Sequence, residues 1–340
     1  MSCQDFGSHV KIYPAMYNKS YKKYYTNCSL CPRECRVDRT VSAAGFCRET
    51  DRVRIAWAGL HYGEEPTITG KKGSGAVFFT GCTLKCVFCQ NYQVSGGILG
   101  GYVSSGELTE IMLGLQKVHA ENINLVTGTH FIPHIIDSVE EAKKEGLRIP
   151  VVWNTSGFEK IISLKLIENT VDIFLTDIKT LSHEYSKKLF NFSNYPEVAI
   201  KAVNSMADMK PIKKEDGKLL SGVIVRHLVM PGMLDSTFKV LKLFKDNWYG
   251  KAILSLMFQY IPVKKYTSAE IDNLTKMLTE DEYSRVMDFL YRLNIDEGYM
   301  QEFSYGSNVE WMPDFSRCNP FPEGMAKTLW HYREDCRGQK

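Results

Sequence analysis

Short apolar runs alternate with amphipathic stretches along the chain from residue 76 onward. The runs are rich in valine, isoleucine, phenylalanine and leucine, and they occupy residues 76–80, 123–127, 149–154, 171–178, 222–229 and 251–258. Most are too continuously apolar for a strand with one face in water, so they predict parallel strands covered on both faces. Strands that alternate with helices indicate right-handed βαβ crossovers. The pattern therefore predicts an α/β fold in which six parallel strands form an open sheet or an incomplete barrel.

The intervening stretches contain signals for helix ends. Ser138 and Glu141 have the spacing of a capping box before an amphipathic stretch, and Gly146 is placed to end that helix. The same spacing of threonine and glutamate occurs at residues 267–270 and 279–282, and it predicts two further helix starts.

Length and composition are those of an ordinary globular protein. The chain has 340 residues, of which 44% are hydrophobic and 24% charged, so it can bury a sizeable core. Three segments are predicted: a cysteine-rich N-terminal module (1–72), an α/β core (73–265) and a helical C-terminal extension with a polar tail (266–340).

The charge balance and the lack of targeting signals narrow the expected partners. The 42 basic residues barely exceed the 39 acidic ones, which gives no argument for nucleic acid or an anionic membrane. No apolar run approaches the roughly 20 residues of a membrane span, and residues 1–17 lack the apolar segment of a signal peptide. We expect a cytoplasmic protein that binds neither nucleic acid nor membranes.

The ten cysteines fall into two groups and three isolated positions. The first group has four members spaced C-x2-C-x3-C-x11-C: Cys28, Cys31, Cys35 and Cys47. The second group has three members spaced C-x3-C-x2-C: Cys82, Cys86 and Cys89. The isolated ones are Cys3, Cys318 and Cys336. A disulfide framework is not expected in a reducing cytoplasm; the two groups therefore predict metal sites, and the isolated cysteines are expected to be ordinary thiols.

The second group supplies three ligands where metal sites usually have four. Buried thiols are one alternative, and a zinc site with a distant fourth ligand is another. The third is an iron–sulfur cluster. A [4Fe–4S] cluster normally takes four thiolates, one for each iron, so three thiolates leave one iron open for chemistry. The loop follows the apolar run that ends at Thr80 and Gly81, which puts it at the end of a strand.

With this spacing the chain resembles the radical S-adenosylmethionine (radical SAM) superfamily, whose signature is C-x3-C-φ-x-C with φ usually aromatic. Here Val87 follows Cys86, and the aromatic Phe88 comes directly before Cys89. That variant is common among pyruvate formate-lyase activating enzymes and their relatives. The segments CPREC, GCTLKCVFCQN, VRHLVMPG and MFQY are similar to those of the PflX-like group among these relatives. The resemblance covers about residues 76–262, with a weaker echo at 298–315.

The resemblance implies a partial (β/α)6 TIM-type barrel and a [4Fe–4S] cluster whose open iron binds the amino and carboxylate groups of S-adenosylmethionine (SAM). An electron from the reduced cluster breaks the C5′–S bond, which yields methionine and a 5′-deoxyadenosyl radical that removes a hydrogen atom from the substrate. Residues near Phe88 would help to seat the adenine. Kinship with activating enzymes also implies a flavodoxin- or ferredoxin-type electron donor and favours a protein or peptide substrate. A small-molecule substrate and a non-catalytic iron–sulfur or zinc protein are the alternatives, because kinship does not establish a target.

Polar residues stand at the ends of the next two predicted strands, where α/β barrels have their active sites. Thr127 and Gly128 end the second strand, at the place where the family usually has Gly-Gly-Glu. This chain keeps one glycine and lacks the acid, so the resemblance implies a role for backbone groups there. Asn154, Thr155 and Ser156 end the third strand; their side chains suit a ribose or a carboxylate, and a helix N-cap is the alternative for one of them.

The fourth predicted strand ends in Asp177 and Lys179, which fall on one face because side chains alternate along a strand. Charged side chains are rarely buried unpaired, so these two form either a structural pair or a site. The activating enzymes have an Asp-x-Lys at the matching point, where the lysine meets the methionine carboxylate and the aspartate contributes to a polar or cation site. On the fifth strand we expect Arg226 inside, as in the family's VR-x-x-V-x-PG segment, and His227 outside or structurally satisfied. Gln259, after the sixth strand, stands where some relatives have a carboxylate-binding residue.

The first cysteine group supplies a complete set of four thiolates. Such a set saturates a tetrahedral zinc ion or a closed cubane cluster, and simple reduced thiols are the alternative. Pro32 and Gly45 are consistent with tight loops around a metal site. The sequence does not decide between zinc and a second iron–sulfur cluster. Because a saturated site does not make bonds, we hypothesise that this module holds a macromolecular substrate or relays electrons.

Overall fold

A computed structural model describes residues 22–263, 272–301, 303 and 312–337. Its helices are α1 (Lys23–Thr26), α2 (Pro66–Thr69), α3 (Tyr92–Ser95), α4 (Ser105–Lys117), α5 (Ile132–Lys144), α6 (Ile161–Ile167), α7 (His183–Phe190), α8 (Tyr195–Met209), α9 (Leu234–Asn247) and α10 (Glu280–Arg292). Its strands are β1 (Arg54–His61), β2 (Ser74–Phe79), β3 (Gly101–Tyr102), β4 (Ile123–Val126), β5 (Val151–Thr155), β6 (Ile173–Asp177), β7 (Lys213–Glu215), β8 (Lys218–Leu228), β9 (Ile253–Met257), β10 (Gly298–Met300) and β11 (Ala326–His331). None of these helices combines the length and the apolar character needed to cross a membrane.

The six predicted strands are confirmed as one run of parallel neighbours. They lie side by side in the order β2, β4, β5, β6, β8 and β9, and β10 continues the parallel run. Helices α4, α5, α6, α8 and α9 lie between consecutive members of the run along the chain. Among the described strands no pairing closes the sheet between β10 and β11. The fold is therefore a partial TIM-type barrel and not a closed one.

Two strands at the other edge of the sheet were not predicted. β1 pairs antiparallel with β2, and β11 pairs antiparallel with β1. β1 is nearly all buried, but its sequence, RIAWAGLH, contains alanine and glycine, which are poor strand formers. β11 is half-exposed and lacks a clear alternation. The core sheet thus takes strands from the predicted N-terminal and C-terminal segments, and the division into three segments stays a prediction.

Two of the predicted helix ends are confirmed and one is wrong. Thr279 forms a capping box with Glu282 at the start of α10, and Gly146, with φ of +109°, follows the end of α5. Ser138 does not begin a helix, because α5 starts at Ile132 with a proline in its first turn. The Ser138 hydroxyl instead donates to backbone carbonyls within and beside α5. The predicted box at residues 267–270 lies outside the described residues.

Cys318 and Cys336 are joined by a disulfide, so the expectation that both are ordinary thiols is wrong. Cys318 precedes β11 and Cys336 follows it. Because β11 and the turn after it bring the two Cα atoms to 4.9 Å, they lie within bonding range. A separation of 18 residues gave no signal of this pairing in the sequence. Cys3 lies outside the described residues.

The two faces of the sheet have different environments. Outward side chains such as Val77, Leu125 and Trp153 pack with the helices in the main core. Inward side chains from the first residues of the strands, such as Val152 and Ile224, pack around Ile68 of α2. Apolar side chains therefore fill most of the interior where the strands begin; Asn124, near the start of β4, is a polar exception that bonds Glu64.

The N-terminal cap of α4 offers a test of the local fold. The Ser104 hydroxyl accepts the Glu107 N–H at 3.1 Å, and the Glu107 carboxylate accepts the Ser104 N–H at 2.7 Å. We expect Ser104→Ala to lower the free energy of unfolding by about 1 kcal/mol, because a helix N–H loses its acceptor. Chemical denaturation followed by circular dichroism measures this. Ser104→Asp, which keeps an acceptor, is the matched control; an equal loss in both variants would mean that the cap is not the cause.

Candidate active site

The loop between β2 and α3 carries the three-cysteine group, Cys82, Cys86 and Cys89. The Cys82 sulfur accepts the backbone N–H groups of Leu84 and Lys85, both at 3.4 Å. Lys85 adopts a φ of +54°, which is uncommon for a residue with a side chain. None of the three cysteines is in a disulfide. Free sulfurs that accept N–H groups have the chemistry of ligands to an iron–sulfur cluster.

A lysine stands close to the two remaining thiols of this loop. Burial raises the pKa of Cys86, and the nearby Lys179 ammonium opposes the rise. Burial also raises the pKa of Cys89; the Ser95 hydroxyl opposes this most and Lys179 adds to that effect. The loop thus sits beside a fixed positive charge that stabilises sulfur in its anionic, ligating form.

The predicted charged pair at the end of β6 lies next to this loop. The Lys179 Nζ atom is 3.1 Å from Asp177 Oδ2, and both side chains are more than four-fifths buried. The same ammonium lies 5.9 Å from the centre of the Phe88 ring. Phe88 itself packs edge-on against Phe190, with ring centres 6.2 Å apart. The structure therefore brings Asp177, Lys179 and Phe88 together, as the sequence predicts.

Tyr195 of α8 joins the loops that follow β5 and β6. Its hydroxyl accepts the Lys179 N–H at 3.0 Å and lies 2.8 Å from the Ser156 carbonyl oxygen and 3.2 Å from that of Asp177. One buried phenol therefore sets the spacing of two loops. Sequence reasoning missed it because a tyrosine at the start of an amphipathic helix looks like any core residue.

Exposure alternates along the ends of the parallel strands. Asn154, Asp177 and Arg226 are each partly exposed, the side chains of Asp177 and Arg226 by less than a fifth, while their neighbours on either side in the chain are buried. Asp177 lies directly opposite Arg226 in the sheet register. The inner face is therefore accessible at the carboxyl ends, and it presents an amide, a carboxylate and a guanidinium there.

Arg226 is held by carboxylates that the sequence did not single out. Its Nε donates to Glu65 at 2.7 Å, and its Nη2 forms an ion pair with Glu64. Glu64 also lies 3.2 Å from His61 Nδ1 and accepts from the Asn124 amide at 3.0 Å. Burial raises the pKa of Glu64, but the Arg226 charge, together with the contacts to His61 and the hydrogen bond from Arg226, holds it well below its usual range. These partners come from the turn after β1, whose place at the barrel interior no spacing in the sequence indicated.

The structure places His227, next to Arg226, and Gln259, after the sixth predicted strand, in different surroundings. His227 faces outward and is a satisfied structural histidine: its ring lies between the Ile178 carbonyl at 2.7 Å and the Thr237 hydroxyl at 3.0 Å. Burial lowers its pKa to about 4, so it is neutral at physiological pH. Gln259 is half-buried just beyond β9, and within the described part of the chain no hydrogen bond joins it to the other candidate residues.

The turn after β4 has an unusual backbone. Thr127 has a φ of +62°, which is an outlier for a β-branched residue, and its N–H donates to the Asn154 carbonyl at 2.9 Å. A Cβ atom on Gly128 would lie 2.6 Å from Ile135 Cδ1, so any other residue there would require the Ile135 side chain to shift. Backbone held in such a conformation is concentrated at ligand sites.

A buried glutamate, Glu159, supports this turn from the outer face of the sheet. It accepts the hydroxyls of Thr129 at 2.7 Å and Thr155 at 2.6 Å, and the Trp153 indole N–H at 3.2 Å. Burial raises its pKa, and these hydrogen bonds oppose the rise. The Thr155 hydroxyl is thus used on the outer face, whereas Asn154 and Ser156 stand on the inner one.

The four-cysteine group, Cys28, Cys31, Cys35 and Cys47, lies at the same end of the sheet as the loop after β2. All four are free of disulfides. Burial raises the pKa of Cys31 to about 12, and the other three thiols add to the rise, which shows that they are neighbours. The sulfurs of Cys35 and Cys47 lie 3.9 and 3.8 Å from the position of a Cβ on Gly45. The Phe46 N–H donates to Cys35 at 3.3 Å, and Arg39 Nη1 lies 3.7 Å from the Cys28 sulfur.

Neither cysteine group is drawn up around a single point at metal-ligand distances. In the described part of the chain no three His, Cys, Asp or Glu side chains have that arrangement. The fit of both groups to a metal therefore rests on the donor set: free, largely buried thiols that accept N–H groups.

The model of the Radical SAM superfamily matches residues 76–244. Over 283 residues the chain is 30% identical to an uncharacterized protein, MJ0674, of Methanocaldococcus jannaschii, covering 81% of this chain and 77% of the relative. Streptococcus suis SuiB bound to S-adenosylmethionine is similar over 65% of this chain and 48% of its own, with 12% identity and a TM-score of 0.45. A domain of pyruvate-formate lyase-activating enzyme from Bacteroides vulgatus is similar over 50% and 93%, with 11% identity and a TM-score of 0.35. The chain thus spans about half the length of SuiB, and both structural likenesses are too distant to support further conclusions.

Removing the Tyr195 hydroxyl tests its role between the two loops. Tyr195→Phe leaves the Lys179 N–H and the Ser156 carbonyl without this partner in a buried place, so we expect a loss of about 2 kcal/mol in the free energy of unfolding. Tyr249→Phe is the control: that hydroxyl bonds to Asp296 at the surface, and its loss is expected to cost under about 0.5 kcal/mol. Chemical denaturation of both variants measures the free energy of unfolding. An equal decrease in the two variants would contradict the role of Tyr195 in joining the loops.

Proposed function

Because the chain belongs to the radical SAM superfamily, we propose that it is an enzyme in which Cys82, Cys86 and Cys89 hold a [4Fe–4S] cluster with one open iron. Membership supports SAM-dependent radical chemistry and implies both SAM and such a cluster. One observation carries the assignment of the ligands: three free cysteines at the end of β2 stand beside the Asp177–Lys179 pair. When bound, the cluster supplies the electron that cleaves SAM into methionine and a 5′-deoxyadenosyl radical.

The residues of the inner face divide the binding of SAM between them. The Lys179 ammonium, which lies beside both Cys86 and Cys89, would pair with the methionine carboxylate. Asp177 holds that ammonium in place at 3.1 Å. Asn154 and Ser156 would offer their polar side chains to the ribose.

The remaining candidate residues would contact other parts of SAM. The strained turn at Thr127 and Gly128 would present backbone groups to the SAM ammonium, in keeping with its fixed geometry. Phe88 would provide an apolar wall for the adenine. Arg226 and Gln259, at the ends of the last two predicted strands, would complete the carboxylate-binding side; Arg226 already uses two of its nitrogens on Glu64 and Glu65.

A protein or peptide is the substrate class that this proposal favours. No pairing of the described strands closes the sheet between β10 and β11, and we infer that a polypeptide segment reaches the inner face from this side. Inside, Glu64, Glu65 and Arg226 form a polar lining that can engage backbone or side-chain groups. A one-electron donor of the flavodoxin or ferredoxin type is expected from the family, and a small molecule is the alternative substrate.

SAM cleavage by the full-length protein tests the proposed chemistry. The protein is reconstituted anaerobically with iron and sulfide, then given dithionite and SAM, and 5′-deoxyadenosine is quantified. We expect product from the wild type and none above the enzyme-free level from Cys86→Ser, which lacks one of the three ligands. The control, Cys318→Ser with Cys336→Ser, should keep full activity because those sulfurs pair with each other and are not among the proposed cluster ligands. A wild type with a full complement of cluster iron that makes no product would overturn the radical SAM assignment.

We propose further that Cys28, Cys31, Cys35 and Cys47 bind a second metal as four thiolates. Arg39 supports this, because its side chain is fully buried beside Cys28 and Cys47. Its other hydrogen bonds within the described residues go to the neutral carbonyls of Glu49, Thr50 and His130, and the nearby Glu49 carboxylate is already paired with Arg54. A buried cation is costly without an anion, and four thiolates around zinc or in a cluster leave a site with net negative charge.

Metal analysis of the reconstituted protein tests this second site. We expect either four irons and one zinc or eight irons for each chain, the first identifying zinc and the second an auxiliary cluster. Cys31→Ser should lose the additional metal and keep the four irons of the loop after β2. Four irons and no zinc in the wild type would remove the second site.

A further inference from the structure

Arg33 links the two cysteine groups through the backbone of the reactive loop. It belongs to the first group's loop, between Cys31 and Cys35. Its Nε donates to the Thr83 carbonyl at 3.1 Å, and its Nη2 donates to the Leu84 carbonyl at 3.3 Å. Both carbonyls lie in the loop that carries Cys82, so the first group's loop is attached directly to the second.

The two peptide groups that Arg33 binds are the same two that bind the Cys82 sulfur. The Thr83 carbonyl shares its peptide unit with the Leu84 N–H, and the Leu84 carbonyl shares its unit with the Lys85 N–H. Those two N–H groups donate to Cys82 Sγ at 3.4 Å. Each peptide unit therefore accepts a hydrogen bond from the guanidinium through its carbonyl and donates one to the sulfur through its N–H. Hydrogen bonds linked in this way polarise one another.

The guanidinium is held rigidly at this position. It also donates to the Phe190 carbonyl at 2.6 Å and the Asn191 carbonyl at 2.9 Å, at the end of α7. Its plane lies over the Phe46 ring, 3.8 Å from the ring centre, with Phe192 at 5.1 Å. Four carbonyls and stacked rings leave the side chain little freedom to move.

The positive charge of Arg33 lies close to cysteine sulfurs. Among the described residues it forms no ion pair with a carboxylate; the adjacent Glu34 pairs with Lys160 and Arg36 instead. The charged groups that act on it most include thiols from both cysteine groups, among them Cys31 and Cys82. A half-buried cation beside these sulfurs favours the more negative state of whatever the sulfurs bind.

We propose that Arg33 is a positioning residue that sets the reduction potential of the reactive cluster by polarising two N–H bonds to Cys82, and that the first cysteine group holds Arg33 in place. This inference rests on the proposed function. Hydrogen bonds to ligand sulfurs and nearby positive charge both stabilise the reduced cluster, so Arg33 raises its potential. On this proposal the four-cysteine module affects the reactive cluster by holding Arg33 in position. This effect is separate from any electron transfer through the module.

The test is a redox titration of the cluster in the full-length protein without SAM, followed by electron paramagnetic resonance. The reactive cluster's signal is the one that Cys86→Ser abolishes. We expect Arg33→Met to shift its potential to a more negative value, and Arg33→Lys, which keeps the charge and loses the fork of donors, to fall between the two. Arg36→Met is the matched control, because Arg36 lies in the same loop but is more than half exposed. The cluster in that variant should have the same reduction potential as in the wild type.

The first cysteine group is tested in the same titration. Cys31→Ser should shift the potential in the same direction as Arg33→Met, since it loosens the loop on which Arg33 stands, and the double variant should add little. An Arg33→Met protein with four irons in the reactive loop and an unchanged potential would overturn the inference. A wild type that shows no cluster signal dependent on Cys86 would instead overturn the proposed function, so the two failures are distinguishable.

Discussion

The parallel register of the sheet is the constraint on which the site depends. Strands β2, β4, β5, β6, β8 and β9 run side by side in one direction, so their carboxyl ends meet at one edge and their side chains alternate between two faces. At the strand starts the inner face is filled by Ile68 and its apolar neighbours. At the strand ends the same face is partly exposed and polar, at Asn154, Asp177 and Arg226. A shift of one residue in the register of any strand would move its polar side chain into the outer core. The register of the sheet therefore determines whether the site forms.

Charge compensation is the second feature that holds the site together. Cations stand at intervals among the cysteines: Arg39 beside the first group, Arg33 between the groups and Lys179 beside the second. Of these, Lys179 has a carboxylate partner, Asp177, whereas Arg33 and Arg39 bond mainly to neutral carbonyls. Buried cations of this kind are stabilised by anionic groups nearby. The Glu49 carboxylate acts on Arg39, and thiolates in the two cysteine groups would act on both arginines.

Sequence periodicity was sufficient for the parallel core and insufficient for what surrounds it. Long apolar runs predicted strands covered on both faces, and the spacings of C-x3-C-x2-C and Asp-x-Lys predicted a metal site and a charged pair. The partners that fix these groups have no such spacing. Glu64 and Glu65 reach Arg226 across more than 160 positions, and Tyr195 meets Ser156 across 39. The disulfide between Cys318 and Cys336 was missed for the same reason, because β11 brings its two halves together. Local pattern predicts elements; it cannot predict contacts that exist only after the elements have packed.

The same contacts constrain what the N-terminal cysteine module can do. Its polar groups are satisfied by the barrel: Arg39 bonds the His130 carbonyl at 2.7 Å, and the Ser163 hydroxyl of α6 bonds the Leu30 carbonyl at 2.6 Å. Glu34 adds an ion pair with Lys160. Lifting the module away would strand several of these groups together, at a cost of about 1–3 kcal/mol for each buried one left unpaired. A module tied in this way is poorly suited to swinging a bound macromolecule into place. A fixed role suits it better, in which it keeps the charge of Arg33 and the geometry of the loop constant beside Cys82.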